Sequence, residues 1–525
     1  MTKQGFLYGT LVLVGAGLLT KILGFIYRIA LSRIIGDEGM GLFHMAFPIL
    51  IFAVVITTAG LPVAISKMVS EAEARGEEHR VRSILAVSLF IVGLTSVLVT
   101  FLILAGAPWI TGTLLTDDRA LYTLIGIAPI IPVIAVSTVF RGYFQGRQNM
   151  SPYALSTIIE QSVRIVTVLL LASWLLPKGV EYAAAGAMIG MVIGEFSGLM
   201  FLIWKFKKDP KRPRLFGKPV KEKKDSFLNR SRDIIRELLK TAIPVTASRV
   251  VGSFSYAIEP IVVSQSLAFA GIATSVSTAL YGQLEGMAVP LVFFPTFITY
   301  ALTVSLVPAV SEAAAQNRPT LVEHRLQQAI RLSLITTVPC AILLYMLAEP
   351  LSVLLYRQPE VARLIKIMAP FTIVHALQGP FASVLQGLDH ATVSMKNSIV
   401  GAVLKTGLIL LLASRPELGI DGVALAINGG ILCVTMLHFI SLAKIAPFTL
   451  NLRDFGKLAL AAAAIPVTAS FLDFGHLSLL EQTLYTTLIS LGAYLLMVIL
   501  LRLIKRDDLS KIPFVGKWAG RFFPT

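Results

Sequence analysis

Apolar runs of about 20 residues, each long enough to cross a hydrocarbon core as a helix, recur from one end of the chain to the other. Their pattern predicts about fourteen spanning helices. They lie near residues 6–30, 41–66, 84–107, 120–140, 153–176, 182–204, 240–264, 279–308, 328–349, 364–386, 393–414, 419–443, 455–472 and 480–503. The run from Phe6 carries Lys21 and Arg28 and continues to Gly36 without a small-residue cleavage site, so it reads as a first span and not as a leader.

Short sequences recur in the same order in the two halves of the chain. Lys21-Ile-Leu-Gly24 in the first span matches Arg249-Val-Val-Gly252 in the seventh, and Met45-Ala-Phe-Pro48 matches Met287-Ala-Val-Pro290. Ser-Glu-Ala follows at 70–72 and 311–313, then Glu-His-Arg at 78–80 and 323–325. Ala128-Pro129 with Ala369-Pro370, Gln145-Gly146 with Gln386-Gly387, and Arg164 with Lys405 all share a shift of 241 residues (370 − 129 and 405 − 164). Each half holds six spans, an even number, so both enter the membrane in the same sense, as in parallel-repeat transporters. The expected organisation is all-α and polytopic. An N-terminal six-helix bundle (1–205) and a basic cytoplasmic linker (206–239) precede a second bundle repeating the first (240–445). Two further spans and a basic tail (446–525) lie outside the repeat.

Composition agrees with lipid as the solvent. Hydrophobic residues make up 55% of the 525 and charged ones only 14%, whereas soluble domains carry about a quarter charged residues. The formal charge of +16 is distributed by membrane side. Of 46 Lys and Arg, an arrangement with the N-terminus inside puts roughly 34 in or beside inner loops, about 7 outside and about 5 within spans, which predicts cytoplasmic termini. The densest block, Lys205 to Lys240, lacks an aromatic stacking pattern, so nucleic acid is not an expected partner. Anionic headgroups are, since each basic residue near such a surface contributes about 1 kcal/mol. Cys340 and Cys433 both fall in apolar runs and read as small buried hydrophobes.

An ionised side chain at mid-membrane costs at least about 2.5 kcal/mol and needs a partner or a wet cavity. Lys21, Arg28, Arg164, Arg249 and Lys405 sit at such depths, four of them as two repeat-related pairs. They are the candidate substrate contacts, because a cationic chamber attracts phosphate and an Arg fork suits its oxygens. For Arg164 an ion pair with Glu160, four residues back on the same helix face, competes with that role. The acids Glu259, Glu160, Glu285 and Glu195 are candidates for H⁺ or Na⁺ coupling, with simple counter-ions as the alternative. No cofactor is expected, and no metal. The seven histidines show no i, i+4 metal spacing, and no Walker sequence occurs. Asp117-Asp118 reads less as a metal pair than as first-turn acids after an N-cap at Thr116.

Thr20-Lys-Ile-Leu-Gly-Phe25, Gly60-Leu-Pro-Val-Ala-Ile-Ser-Lys67, Arg141-Gly-Tyr-Phe-Gln-Gly146, Glu160-Gln-Ser-Val-Arg164, Tyr182-Ala-Ala-Ala-Gly-Ala187 and Glu259-Pro-Ile-Val-Val263 resemble the polysaccharide-transport branch of the multidrug/oligosaccharidyl-lipid/polysaccharide exporter superfamily. The resemblance covers the whole chain and is narrowest to sporulation members of that branch. It implies a MATE-like fold and a flippase for a polyprenyl-pyrophosphate-linked saccharide of the lipid II type, acting in spore-cortex peptidoglycan assembly. Membrane lipids and cell-wall synthesis enzymes are the other partners it implies. Related lipid II flippases carry a basic residue before Leu-Gly-Phe and another shortly after, positions filled here by Lys21 and Arg28, the latter one residue late. The acid expected early in their second span is absent, since Gly41 and Leu42 stand there. Rival readings are a cation-coupled exporter of organic compounds, which calls for an acid-dominated cavity, and a membrane glycosyltransferase or a scaffold for cell-wall enzymes.

Overall fold

The computed structural model describes residues 6–504, except 59, 211, 212, 214–223, 447, 450, 473, 474 and 476. Among the described residues the regular structure is entirely helical. The chain separates into two compact units, Met1–Gly286 and Met287–Thr525.

The first unit contains α1 (Phe6–Thr58), α2 (Leu61–Ala74), α3 (Glu78–Trp109), α4 (Ala120–Ile127), α5 (Ile130–Gly146), α6 (Ser151–Leu175), α7 (Val180–Lys208), α8 (Lys224–Phe269) and α9 (Thr274–Tyr281). The second contains α10 (Val289–Phe293), α11 (Thr296–Ala315), α12 (Pro319–Met346), α13 (Ala348–Tyr356), α14 (Val361–Gly387), α15 (Ala391–Ala413), α16 (Gly419–Ile445), α17 (Leu452–Ser470) and α18 (Leu479–Leu500). Ten helical stretches among the described residues are long and apolar enough to span a membrane. The other four of the fourteen expected spans are present in altered form. Two spans share α1, α8 holds the seventh, α17 holds the thirteenth, and the eighth is broken into α9, a π-type turn at Gly282–Ala288, α10 and α11.

The two spans within α1 are separated at Gly36, where φ 69° and ψ −171° lie in a region essentially reserved for glycine. Gly36→Ala should therefore cost about 1–3 kcal/mol, read as a lower melting temperature of the purified protein in detergent. The kink also lets the second half of α1 approach α9 backbone to backbone: a Cβ on Gly41 would lie 1.9 Å from the Thr278 carbonyl oxygen, and one on Gly282 1.9 Å from that of Asp37. This gives the physical reason why no acid stands at position 41.

Glycine also sets the α6–α7 pair. Gly186, Gly190, Gly194 and Gly198 recur every fourth residue on α7, and Cβ atoms on them would meet Leu171, Val168, Arg164 and Glu160 of α6 at 2.8, 2.6, 2.6 and 3.1 Å. Such small-residue stripes allow close backbone packing inside membranes. In the second unit Gly422 and Gly430 of α16 press on Leu412 and on Lys405 of α15 in the same way. Arg164 and Lys405 thus occupy matching seats.

Backbone conformation carries the duplication further. Left-handed residues recur in order at Gly36 and Gly271, Gly76 and Asn317, Thr116 and Arg357, Gln148 and Asp389, and Gly179 and Gly419. Three of these pairs keep the 241-residue shift seen in the sequence (317 − 76, 357 − 116 and 389 − 148).

The residues from 224 to 239, read from sequence as the end of a linker, form the start of α8. Ile234 and Leu238, one turn apart, are buried against Leu61, Ile65, Ile84 and Tyr143, and Arg80 pairs with Glu237 at 3.0 Å. That packing places the division between units within the eighth span, whereas the sequence repeat begins anew at α8. The two helices beyond the repeat attach to α12: Leu458 and Ile465 of α17 are buried there, and the Tyr494 hydroxyl of α18 donates to the Ile335 carbonyl at 2.8 Å.

Candidate functional site

Three polar assemblies lie inside the first unit. The first joins α5, α6 and α7. Arg141 Nη2 reaches Glu160 Oε2 at 2.9 Å and Glu195 Oε1 at 3.0 Å. Arg164 Nη2 pairs with Glu160 and lies 3.4 Å from Glu195 Oε2. The Glu195 side chain is only 4% exposed and that of Glu160 10%, so two carboxyl groups and two guanidinium groups share one largely buried network. The ion pair foreseen as the competitor for Arg164 does form, within a larger network. Sequence reasoning missed Arg141, because the predicted fourth span stops one residue before it and its repeat equivalent is Ala382.

The second assembly surrounds Arg28, which is half-buried on α1. Tyr256 of α8 lies within electrostatic reach of Glu285, Glu259 and Arg28, and Tyr281 within reach of Glu285, Glu259 and Tyr256. Glu259 and Glu285 are 5% and 8% exposed. His44, 3% exposed and near Arg28, has no hydrogen-bond partner for either ring nitrogen; Phe43 and Phe47 flank its ring at 5.3 and 6.4 Å between centroids. Lys21, two turns before Arg28, and Arg249 on α8 are exposed. Helices α1 and α8 pack side by side, so these three cations belong to two neighbouring helices of one unit. Lys405 is half-buried in the other unit.

The third assembly closes one end of the unit. Arg119 Nη1 donates to Glu38 Oε1 at 2.6 Å and Nη2 to Asp117 Oδ2 at 2.9 Å. The Thr278 hydroxyl donates to Asp117 at 2.7 Å, Gln283 Nε2 to Asp37 at 2.8 Å, and Gln265 Nε2 to the Thr113 carbonyl at 2.8 Å. Thr116 does not cap a helix as expected. It is left-handed, with φ 57°, and its hydroxyl bonds to Ser264, while Asp117 accepts the backbone N–H of Arg119 at 3.1 Å.

Burial alone would raise the Asp117 carboxyl, but bonds from Arg119 and Thr278 outweigh it and hold the group below its usual range. A depressed carboxylate stabilises above its unfolded value, about 3.9, and that stability is lost as pH falls through the lower folded value. The network should therefore stay intact at neutral and mildly acidic pH. Asp117→Asn should abolish its contribution at every pH, as followed by the melting temperature of the purified protein in detergent across a pH series.

Comparison with known proteins agrees with this architecture. The family model described as polysaccharide biosynthesis protein matches residues 6–271, and the MatE model matches residues 260–411. The chain is 43% identical to stage V sporulation protein B of Bacillus subtilis (strain 168), over 98% of its own length and 99% of that relative. It is 25% identical to the lipid II flippase MurJ of the same organism, over 84% of this chain and 83% of that one. A solved structure of the lipid II flippase MurJ in an inward closed conformation aligns with TM-score 0.71 at 15% identity, covering 94% of this chain and 99% of that one. The chain is a multi-pass membrane protein that belongs to the stage V sporulation protein B family, in the polysaccharide-transport branch of the multidrug/oligosaccharidyl-lipid/polysaccharide exporter superfamily.

Proposed function

We propose that the protein flips a polyprenyl-diphosphate-linked saccharide of the lipid II type for spore-cortex assembly, by alternating access, with both termini cytoplasmic. The observation that carries this reading is half-buried Arg28 facing Tyr256 and its buried acids Glu259 and Glu285, with exposed Lys21 on the same helix and exposed Arg249 on the helix beside it. A guanidinium with two further cations on the same and the adjoining helix suits the oxygens of a diphosphate, while the polyprenyl tail remains in lipid. Arg164 drops out of the headgroup set, because Glu160 and Glu195 already engage it. Lys405 keeps a secondary role through its equivalence to the first-half seat.

Among the candidate acids, Glu160 and Glu195 serve Arg141 and Arg164. Glu259 and Glu285 are the pair we assign to H⁺ or Na⁺ coupling, since they share the cluster of Arg28. The names of the relatives support the sporulation role and the substrate class.

The deciding experiment places purified protein in liposomes with a fluorescent lipid-linked precursor and follows leaflet exchange with and without an imposed gradient. Exchange of the precursor well above that of unlinked phospholipids supports the proposal. Equal rates for both lipids reveal a scramblase, and no exchange leaves the scaffold reading.

A further inference from the structure

The two repeats differ in chemistry at one matching cavity. In the first unit a cavity of about 180 Å³ lies among Glu73, Gly76, Tyr143 and Arg147. The Arg147 side chain plugs it: Nε lies 3.1 Å from Glu73, Nη1 lies 2.7 Å from the Tyr143 hydroxyl, and the guanidinium pairs with Asp209. Tyr143 adds a bond to Asp209 at 3.0 Å. At the 241-residue shift, Tyr143 becomes Val384, Arg147 becomes Leu388 and Glu73 becomes Ala314. Three of the four groups that build the plug are thus replaced by apolar residues in the second unit.

The space there is correspondingly larger, about 460 Å³, with Val322, Leu326, Val384, Leu388, Leu442 and Phe448 among its walls. This volume falls within the usual range for a bound small molecule, about 300–1,000 Å³. The backbone equivalence is independent of side chains, since the left-handed residues Gly76 and Asn317, and Gln148 and Asp389, flank the two cavities. Arg318 and His390, both exposed, also line the second cavity. Lys444, exposed in the last turn of α16, directly precedes the lining residue Ile445. Glu323 is the acid in the lining, and its Oε1 already accepts the Thr449 amide at 2.8 Å, the Thr449 hydroxyl at 2.7 Å and Gln327 at 3.2 Å.

We propose that this cavity is a binding site for an anionic phospholipid of the cytoplasmic leaflet, with an acyl chain in the apolar slot and the phosphate on Arg318. Asn317, Arg318, Glu323 and His390 are the polar members of a lining that is otherwise apolar, so a soluble polar metabolite would set most of its surface against apolar walls, where burying polar atoms is unfavourable. An acyl chain meets walls of its own kind. The cationic side chains stand at helix ends, where long basic residues meet headgroups. The site does not involve Arg28; its assignment to the cytoplasmic leaflet rests on the orientation proposed above, whereas lipid retention itself does not depend on transport.

Native mass spectrometry of the full-length protein, extracted in mild detergent and titrated with phosphatidylglycerol or phosphatidylcholine, tests it. The expected result is one phosphatidylglycerol retained per chain in preference to phosphatidylcholine, with retention falling tenfold or more in Arg318→Glu. The double variant Ala314→Glu, Leu388→Arg rebuilds the plug of the first unit and should abolish retention. Val384→Phe fills the slot without adding charge and should do the same if the double variant does not fold. Retention unchanged in a folded plug or slot-filling variant would overturn the proposal, as would equal retention of the two lipids or equally tight binding of glycerol phosphate, which has no acyl chain.

Discussion

Arg141→Met should destabilise the protein by about 3–5 kcal/mol, because it leaves Glu160 and Glu195 together in the interior with one guanidinium in place of two. The cost is that of an uncompensated buried charge; the ion pairs themselves contribute little net stability once desolvation is counted. The measurement is the melting temperature and yield of monodisperse protein in detergent. Arg141→Met combined with Glu195→Gln removes one charge of each sign and should be more stable than the single variant. Equal loss in both would show that packing on Tyr153, whose ring centre lies 5.4 Å from the guanidinium carbon, matters more than charge.

The second large effect is expected at Arg28. A hydrogen bond from a charged group contributes about 1.5–3 kcal/mol, which corresponds to a fall of roughly 10- to 100-fold in headgroup affinity. Arg28→Ala should therefore raise the precursor concentration needed for half-maximal exchange in liposomes by roughly 10- to 100-fold and impair cortex formation in the cell at normal protein levels. Lys21→Ala and Arg249→Ala should weaken exchange in the same direction. A cell that makes normal cortex from normal amounts of the Arg28→Ala protein would refute the headgroup assignment.

Hydropathy made the spans legible because lipid imposes one simple demand, that every exposed helix face be apolar over a fixed length. The eighth span escaped this reading in detail: its hydropathy is continuous, but Gly282 is packed onto the Asp37 carbonyl and the turn after it widens. The start of α8 was obscured by its charge, although Ile234 and Leu238 carry the i, i+4 signature of a buried stripe. The candidate cations were found by depth and repeat. Glu160 as a partner of Arg164 was legible from its i, i+4 spacing, whereas Glu195, 31 residues from Arg164, and Glu38, 81 residues from Arg119, leave no local periodicity. His44 had no signal beyond its place in an apolar run, and only the buried, unbonded ring marks it.

The paired left-handed residues at matching places in the two repeats have a consequence for ancestry. Side chains have diverged until few identities survive, yet the bends in the main chain still coincide, so the architecture was settled in a polypeptide of half this length before it was copied.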